Sequence, residues 1–355
     1  MALPVNPSTS SKATGPGPLN SQKSTNVPGV RLVMRANNIP IEDEAAIENN
    51  PEVRQWAEEI VDQTRNSPER PQWQVNFKKV RDKYAERNES TWINMVWGAL
   101  HNPQRNIRDK NKDGSILAPG AWTSTTWEKS FLDQNWDADL RTGSVPKLYT
   151  NDPNIQEMLD SLPRITNPRP DIAFGLERKA FSEDENTIND RYQMYAQVSQ
   201  GIYHSFLVIE TKTNGTIEDT ENQCSRGGAS LVCAARIMIH DSDPDFNTST
   251  GPDMQSMAFS VALVPTVANI FCHWAEVKST EDVVYHMHLI KSFALRNKEG
   301  AIGLHRAMNN ILDWGTGDRK SRMKEVLRKI HERTEATGRK KRKNANGEGD
   351  GGEGQ

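Results

Sequence analysis

Two short segments carry the residue types that do phosphate chemistry. One is Arg169-Pro170-Asp171-Ile172-Ala173-Phe174, the other Phe206-Leu207-Val208-Ile209-Glu210-Thr211-Lys212. In both, charged residues border apolar runs. Phe206 to Ile209 is an unbroken apolar run with β-branched members, which reads as a strand buried on both faces. Alternate residues of a strand share a face, so Glu210 and Lys212 project together and Thr211 projects opposite. A carboxylate and an ammonium entering a partly dry cleft need each other or a metal. Asp171 follows a proline, opens a second apolar run and can lie beside the Glu210 strand in a sheet. Two carboxylates converging on one point suit Mg²⁺, which takes hard oxygen ligands and keeps several waters. A neighbouring lysine would orient or help deprotonate a water, or steady the charge developing on phosphate.

The order Pro-Asp, then Glu-x-Lys, resembles the PD-(D/E)XK nuclease superfamily. The wording Pro170-Asp171-Ile172-Ala173-Phe174-Gly175, followed by Val208-Ile209-Glu210-Thr211-Lys212 and Glu221-Asn222-Gln223, is similar to its fungal nuclease-like branch. The resemblance runs from about Asn88 to Gly315, with specific motifs only at its centre. It implies an α/β (α+β mixed) fold, a restriction-endonuclease-like central mixed sheet flanked by helices. It also implies Mg²⁺- or Mn²⁺-dependent hydrolysis of nucleic-acid phosphodiesters, with DNA or RNA as partner. Carried over residue by residue, metal binding falls on Asp171 and Glu210, and a backbone carbonyl ligand on Thr211. Lys212 assists the attacking water. Gln223 stands where the superfamily places a polar residue on the helix after the Glu-x-Lys strand, and Glu89 is the candidate for a further acid from an upstream helix. One departure is the polar insert from Glu177 to Tyr203, read here as looping out, which leaves the pairing of the two motif strands open.

Plainer accounts exist for each residue. Glu210 and Lys212 can form a surface ion pair at a strand end, Asp171 can be a turn residue after proline, Gln223 can satisfy backbone groups at a helix start, and Glu89 can sit at a helix N-terminus for the dipole alone. A different functional class is a catalytically inactive module on the same fold that binds nucleic acid or protein partners, effector-like or a nuclear scaffold. A metabolic enzyme has less support, since the chain contains no Gly-rich phosphate loop, dinucleotide fingerprint or nucleophile elbow.

The 355 residues carry a formal net charge of −3, too little and of the wrong sign for a protein that coats nucleic acid indiscriminately. The charge is unevenly spread. Arg319 to Lys343 holds twelve Lys or Arg against three Glu and ends in Arg339-Lys340-Lys341-Arg342-Lys343. That cluster reads as a nuclear localisation signal or phosphate-binding arm, or else as a solvated helix face, and places the protein in the nucleus or cytoplasm. No run approaches the ~20 apolar residues that cross a bilayer, and residues 1–30 lack a secretory apolar core. Three scattered cysteines form neither a disulfide framework nor a zinc motif.

The elements that must position the motifs follow from periodicity. Residues 1–30 and 336–355 read as disordered tails around one nuclease-like domain, about 40–335, whose first part, about 51–101, is helical. Pro51 to Arg65, Gln74 to Glu86 and Ser90 to His101 have helical spacing, the last with Trp92 and Trp97 on its apolar face. The stretch from Trp122 to Trp127 is ambiguous between strand and loop. Thr220 to Ile239 reads as a helix weakened by Gly227-Gly228. Met257 to Val264 and Ala268 to Val277 read as a strand pair around Pro265, Val283 to Ile290 as a further strand, and Gly300 to Trp314 as a helix. His286 and His288 share a face of their strand and read as surface or core histidines for want of a third ligand. Sequence leaves the oligomeric state open.

Overall fold

A computed structural model describes residues 30–64, 168–197, 202–213, 216–243, 250–279 and 282–347, apart from 37, 43 and 169. In chain order the elements are α1 (Val30–Ala36), α2 (Glu44–Asn49), α3 (Pro51–Val61), β1 (Ile172–Leu176), α4 (Glu183–Arg191), α5 (Gln193–Ala196), β2 (Tyr203–Thr211), α6 (Ile217–Ser242), β3 (Gly251–Val264), β4 (Val267–Ser279), β5 (Asp282–Ala294), α7 (Lys298–Trp314) and α8 (Lys320–Gly347). The expected class, a mixed sheet flanked by helices, is what the chain forms.

The apolar runs build one five-stranded sheet in the order β1-β2-β3-β4-β5. Every residue of β1 and β2 is buried, as continuous rather than alternating apolar runs require. The two strands pair antiparallel, Ile172 with Ile209 and Phe174 with Leu207, which brings Asp171 alongside Glu210. β2 and β3 run parallel, and β3, β4 and β5 form an antiparallel meander. The β3–β4 turn falls at Pro265-Thr266, where a fixed φ and a missing donor suit a turn and not a ladder. Beyond β5, Ile41 bridges to Met287, and the amides of Tyr285 and Glu42 donate to Asn38 and Met287 carbonyls, so this edge is covered.

A parallel pair needs a crossover, and α6 supplies it. It starts on a capping box: the Asp219 amide donates to Thr216 Oγ1 at 3.2 Å, and Asp219 Oδ2 accepts from the Thr216 amide at 3.3 Å. The glycines that weaken α6 by propensity are where it touches the sheet. A Cβ on Gly228 would lie 2.2 Å from the His273 ring, and one on Gly227 3.1 Å from Val208 Cγ2. On this face Ala173, Val208, Ala258 and Tyr285 meet Ala229, Val232 and Cys233 of α6. On the other face Phe259, Val261 and Ile209 meet α3 and α7, where Trp56 stacks on Phe259 at 5.8 Å and Trp314 meets Trp56 edge-on at 5.3 Å. A third layer of α4, α5 and α8 packs outside α6 through Ile188, Met238, Met323 and Leu327.

The segment between the two motif strands does not loop out as expected. After a short 3₁₀ turn at Arg178–Ala180 it forms α4 and α5. Ser182 and Glu185 make a reciprocal capping box, and the α4 dipole carries Glu183, Asp184 and Glu185 in its first turn, so a polar stretch is helical without much apolar content. The basic run from Arg319 also lies on a helix. Met323, Val326, Leu327 and Ile330 form the buried stripe of α8. Several of its cations are used within the fold: Lys324 lies 3.7 Å from Glu185, Arg328 pairs with Glu325 at 2.6 Å and with Glu332, and Arg322 donates to the Met254 carbonyl at 3.1 Å. The helix runs to Gly347, through the point where the sequence reading begins its tail, and Arg339–Lys343 fall on its last turns. The expected helices at Gln74 to Glu86 and Ser90 to His101, with Glu89 and the stretch from Trp122 to Trp127, lie outside the described residues. No helix among the described residues is long and apolar enough to cross a membrane.

Candidate metal centre

The β1–β2 register does the positioning. Val208 faces α6, so by strand alternation Glu210 does too, and Asp171 stands next to it from the antiparallel neighbour. Thr211 holds Asp171 in place: its amide donates to Asp171 Oδ2 at 2.7 Å and its hydroxyl to the same oxygen at 3.0 Å. Glu210 accepts a hydrogen bond from the Asp171 amide. Lys212 follows on the Glu210 face, partly buried, while its amide continues the β2–β3 ladder to the Leu263 carbonyl at 3.0 Å.

Glu210 is 2% exposed. Burial and the adjacent Asp171 charge push its carboxyl well above the usual range, and the charges of Arg226 and Lys212 offset only part of this. Arg226 reaches the site from α6, itself buried, with burial lowering its guanidinium to about 10. Cys224, also on α6, has a thiol pushed up by burial and by the Glu210 charge, and shares a hydrogen bond with Ser260. Ser260 in turn bonds His273 Nε2 at 2.7 Å, and burial lowers His273 to about 3, so that ring is neutral. A buried polar chain thus leads from Glu210 into the sheet.

The start of α6 contributes Glu221-Asn222-Gln223. Glu221 accepts from Asn269 Nδ2 and from Arg31, each at 3.0 Å, and Arg31 Nε donates to Asn222 Oδ1 at 3.2 Å. These two residues therefore bind α1 and β4 to α6. Gln223 differs. Its Oε1 is buried with no hydrogen-bond partner, one residue before Cys224, whose thiol feels the Glu210 charge.

Of the expected site residues, Asp171, Glu210, Thr211 and Lys212 come together on the β1–β2 edge, and Gln223 lies on the next helix as expected. Thr211 serves Asp171 through its amide and hydroxyl, a role the sequence reading did not give it. Glu89 lies outside the described residues. His286 is a packed histidine, stacked on Trp274 at 4.9 Å and bonded to Glu276 Oε2 at 3.0 Å. Sequence reasoning missed Arg226; its one signal was a charged residue beside Gly227-Gly228 in an otherwise small and apolar helix. No three His, Cys, Asp or Glu converge among the described residues. The donor set is instead a pair of hard carboxylates, with Arg226 and Lys212 offsetting part of their charge, and hard oxygens in so small a number fit an ion that keeps waters and takes few protein ligands, as Mg²⁺ does.

Compared with known proteins, residues 76–327 match the family model described as Domain of unknown function (DUF7924), a span that includes β1, β2 and the whole site. No curated protein and no solved structure matches the chain.

Proposed function

The chain belongs to the DUF7924 family, and we propose that its Asp171–Glu210–Lys212 site hydrolyses nucleic-acid phosphodiester bonds with Mg²⁺ or Mn²⁺. The observation that carries the reading is the juxtaposition of Asp171 and Glu210 on antiparallel strands with Glu210 buried and destabilised by its neighbour's charge. Two such carboxylates hold together best around a cation. A divalent ion held by them would supply Lewis-acid polarisation of a phosphate and a water of lowered pKa. The chain's own residues do the rest. Thr211 fixes the Asp171 carboxylate, Lys212 brings a positive charge to the phosphate side of Glu210, and Gln223 Oε1 offers an acceptor for a water proton. The resemblance to PD-(D/E)XK nucleases rests on these same residues, on the crossover helix that follows Glu-x-Lys and on the parallel strand after it.

A second reading has its own observation. Arg226 gives Glu210 a buried positive neighbour without any metal, which is what a non-catalytic, partner-binding module would need. Cleavage assays on labelled single- and double-stranded DNA and RNA separate the two. With Mg²⁺ or Mn²⁺ the wild type cuts at least one substrate, and Asp171→Ala and Lys212→Ala each lower the rate by about 100-fold or more while nucleic-acid binding by Lys212→Ala persists. A folded wild type that cuts none of them, and whose melting temperature ignores both ions, is the non-catalytic module.

A further inference from the structure

The other end of β2 holds a separate buried charge. Five residues from Glu210, about 16 Å along the strand, Ser205 and His204 line a small void with Tyr195, with Leu231 and Ala234 of α6, and with Arg319 from the turn before α8. Arg319 is 1% exposed and Ser205 4%. Arg319 Nε and Ser205 Oγ are both buried with no hydrogen-bond partner. A guanidinium nitrogen only donates and a hydroxyl can donate, so one acceptor between them would satisfy both.

The void is short of negative charge. Burial lowers the Arg319 guanidinium to about 10, which leaves it protonated at neutral pH. Its Nη1 donates to a neutral group, the Gln255 carbonyl, at 2.6 Å. The carboxylate acting on it is Asp253, but Asp253 is bonded to Arg236 at 3.2 Å, and Arg322 adds a further positive charge. Among the described residues, three guanidiniums thus share one carboxylate in this corner. His204 contributes no anion: burial lowers it to about 3, so it is neutral. It lies 2.8 Å from Asn189 Oδ1, while the Asn189 amide nitrogen donates to Asn186, so Nε2 of His204 carries the hydrogen. His204 also has a φ of 49°, at the point where the β1–β2 register shifts, so the void lies at an irregularity of the strand.

We propose that this void is a binding site for one small monovalent anion, chloride in chemistry, held by Arg319 Nε–H and Ser205 Oγ–H against the apolar wall of α6. The space is at the lower limit for one water, so a chloride, somewhat larger than a water, enters as the wall of Leu231 and Ala234 gives way slightly. A water would satisfy the donors and leave the charge; a tetrahedral phosphate exceeds the room. The ion would tie the β2 irregularity, α6 and the α7–α8 turn together, independently of the carboxylate site.

The test is thermal unfolding of the full chain at pH 7.5 in sodium gluconate, with chloride or bromide replacing gluconate at constant ionic strength. Either halide at about ten times its dissociation constant should raise the melting temperature by about 3–6 °C. Ser205→Ala, which removes a hydroxyl that bonds nothing in the protein, should fold and lose most of that rise, as should Arg319→Lys. A bromide anomalous peak between Arg319 and Ser205 in crystals would locate the ion. Equal melting in halide and gluconate, or a full halide effect in Ser205→Ala, overturns the proposal and leaves a water in the void.

Discussion

Glu210 and Asp253 are both buried acids on strands of one sheet, and the fold treats them in opposite ways. Asp253 receives Arg236 Nη1 at 3.2 Å and the amides of Gln255 and Ser256 at 2.9 and 3.2 Å. Three donors from its own surroundings compensate its burial. Glu210 receives the Asp171 amide and lies beside the like charge of Asp171, which Arg226 and Lys212 offset only in part. A structural acid ends with donors aimed at it, whereas an acid at a site is left with a deficit that a ligand can meet. The contrast marks Asp253 as compensated within the fold and Glu210 as under-compensated.

The largest effect should therefore come from the structural acid. Asp253→Ala takes from the buried Arg236 the carboxylate that its Nη1 donates to, and should cost about 3–5 kcal/mol in urea unfolding. A loss under ~1 kcal/mol would show that Arg236 relaxes to solvent and would dissolve the distinction between the two acids.

Two buried neutral histidines add a pH dependence, His273 in the polar chain from Glu210 and His204 beside Arg319. Both are lowered to about 3 in the fold, against 6.5 as the ordinary value. Between these values the unfolded chain binds the extra protons, so stability is intact above pH 6.5 and falls as pH drops below it. Each histidine removes roughly 1.4 kcal/mol per pH unit at most, and the pair about 2–4 kcal/mol between pH 6.5 and 5. Denaturant midpoints of Glu210→Gln, which is free of the opposing Glu210 titration, check this across that range; a flat profile there means that neither ring is held neutral.

Gly228→Ala acts between the two regions. Its Cβ would meet the His273 ring at 2.2 Å, in a ring fixed by Ser260, so the helix must lift from the sheet. The expected cost is about 1–3 kcal/mol, well beyond the gain in helix propensity. Gly317→Ala, where a Cβ meets nothing within 4 Å, is the control and should be neutral or slightly stabilising.

What the sequence made legible was local. β2, the Pro265-Thr266 turn, α6 and α7 follow from apolar runs, turn residues and helical spacing, and Asp171 beside Glu210 follows from two motifs that each end an apolar run. What escaped depends on contacts distant in sequence or on caps. α4 has little apolar signal, yet its Ser182-x-x-Glu185 box was present and went unused. α1 is short and is secured through Arg31 by Asn222 and Glu221, which lie about 190 residues away. Arg226 matters only because α6 presses onto β2, and Gly227-Gly228, read as a weakness of the helix, are what allow that approach.

The smallest effect is the most discriminating. Because the folded-state pKa of Glu210 is raised above its ordinary 4.5, the folded chain holds a proton that the unfolded chain releases. Stability therefore falls as pH rises from 4.5 towards the folded value and stays reduced above it. Glu210→Gln removes that penalty and keeps the shape. Without divalent metal at pH 7 it should match or exceed the wild type by about 1 kcal/mol. With millimolar Mn²⁺ the order should reverse, since the wild type gains binding energy that the amide cannot supply. A variant that is weaker than wild type in both conditions would mean that Arg226 alone balances Glu210. The two acids would then be structural alike, and the site would have no metal to hold.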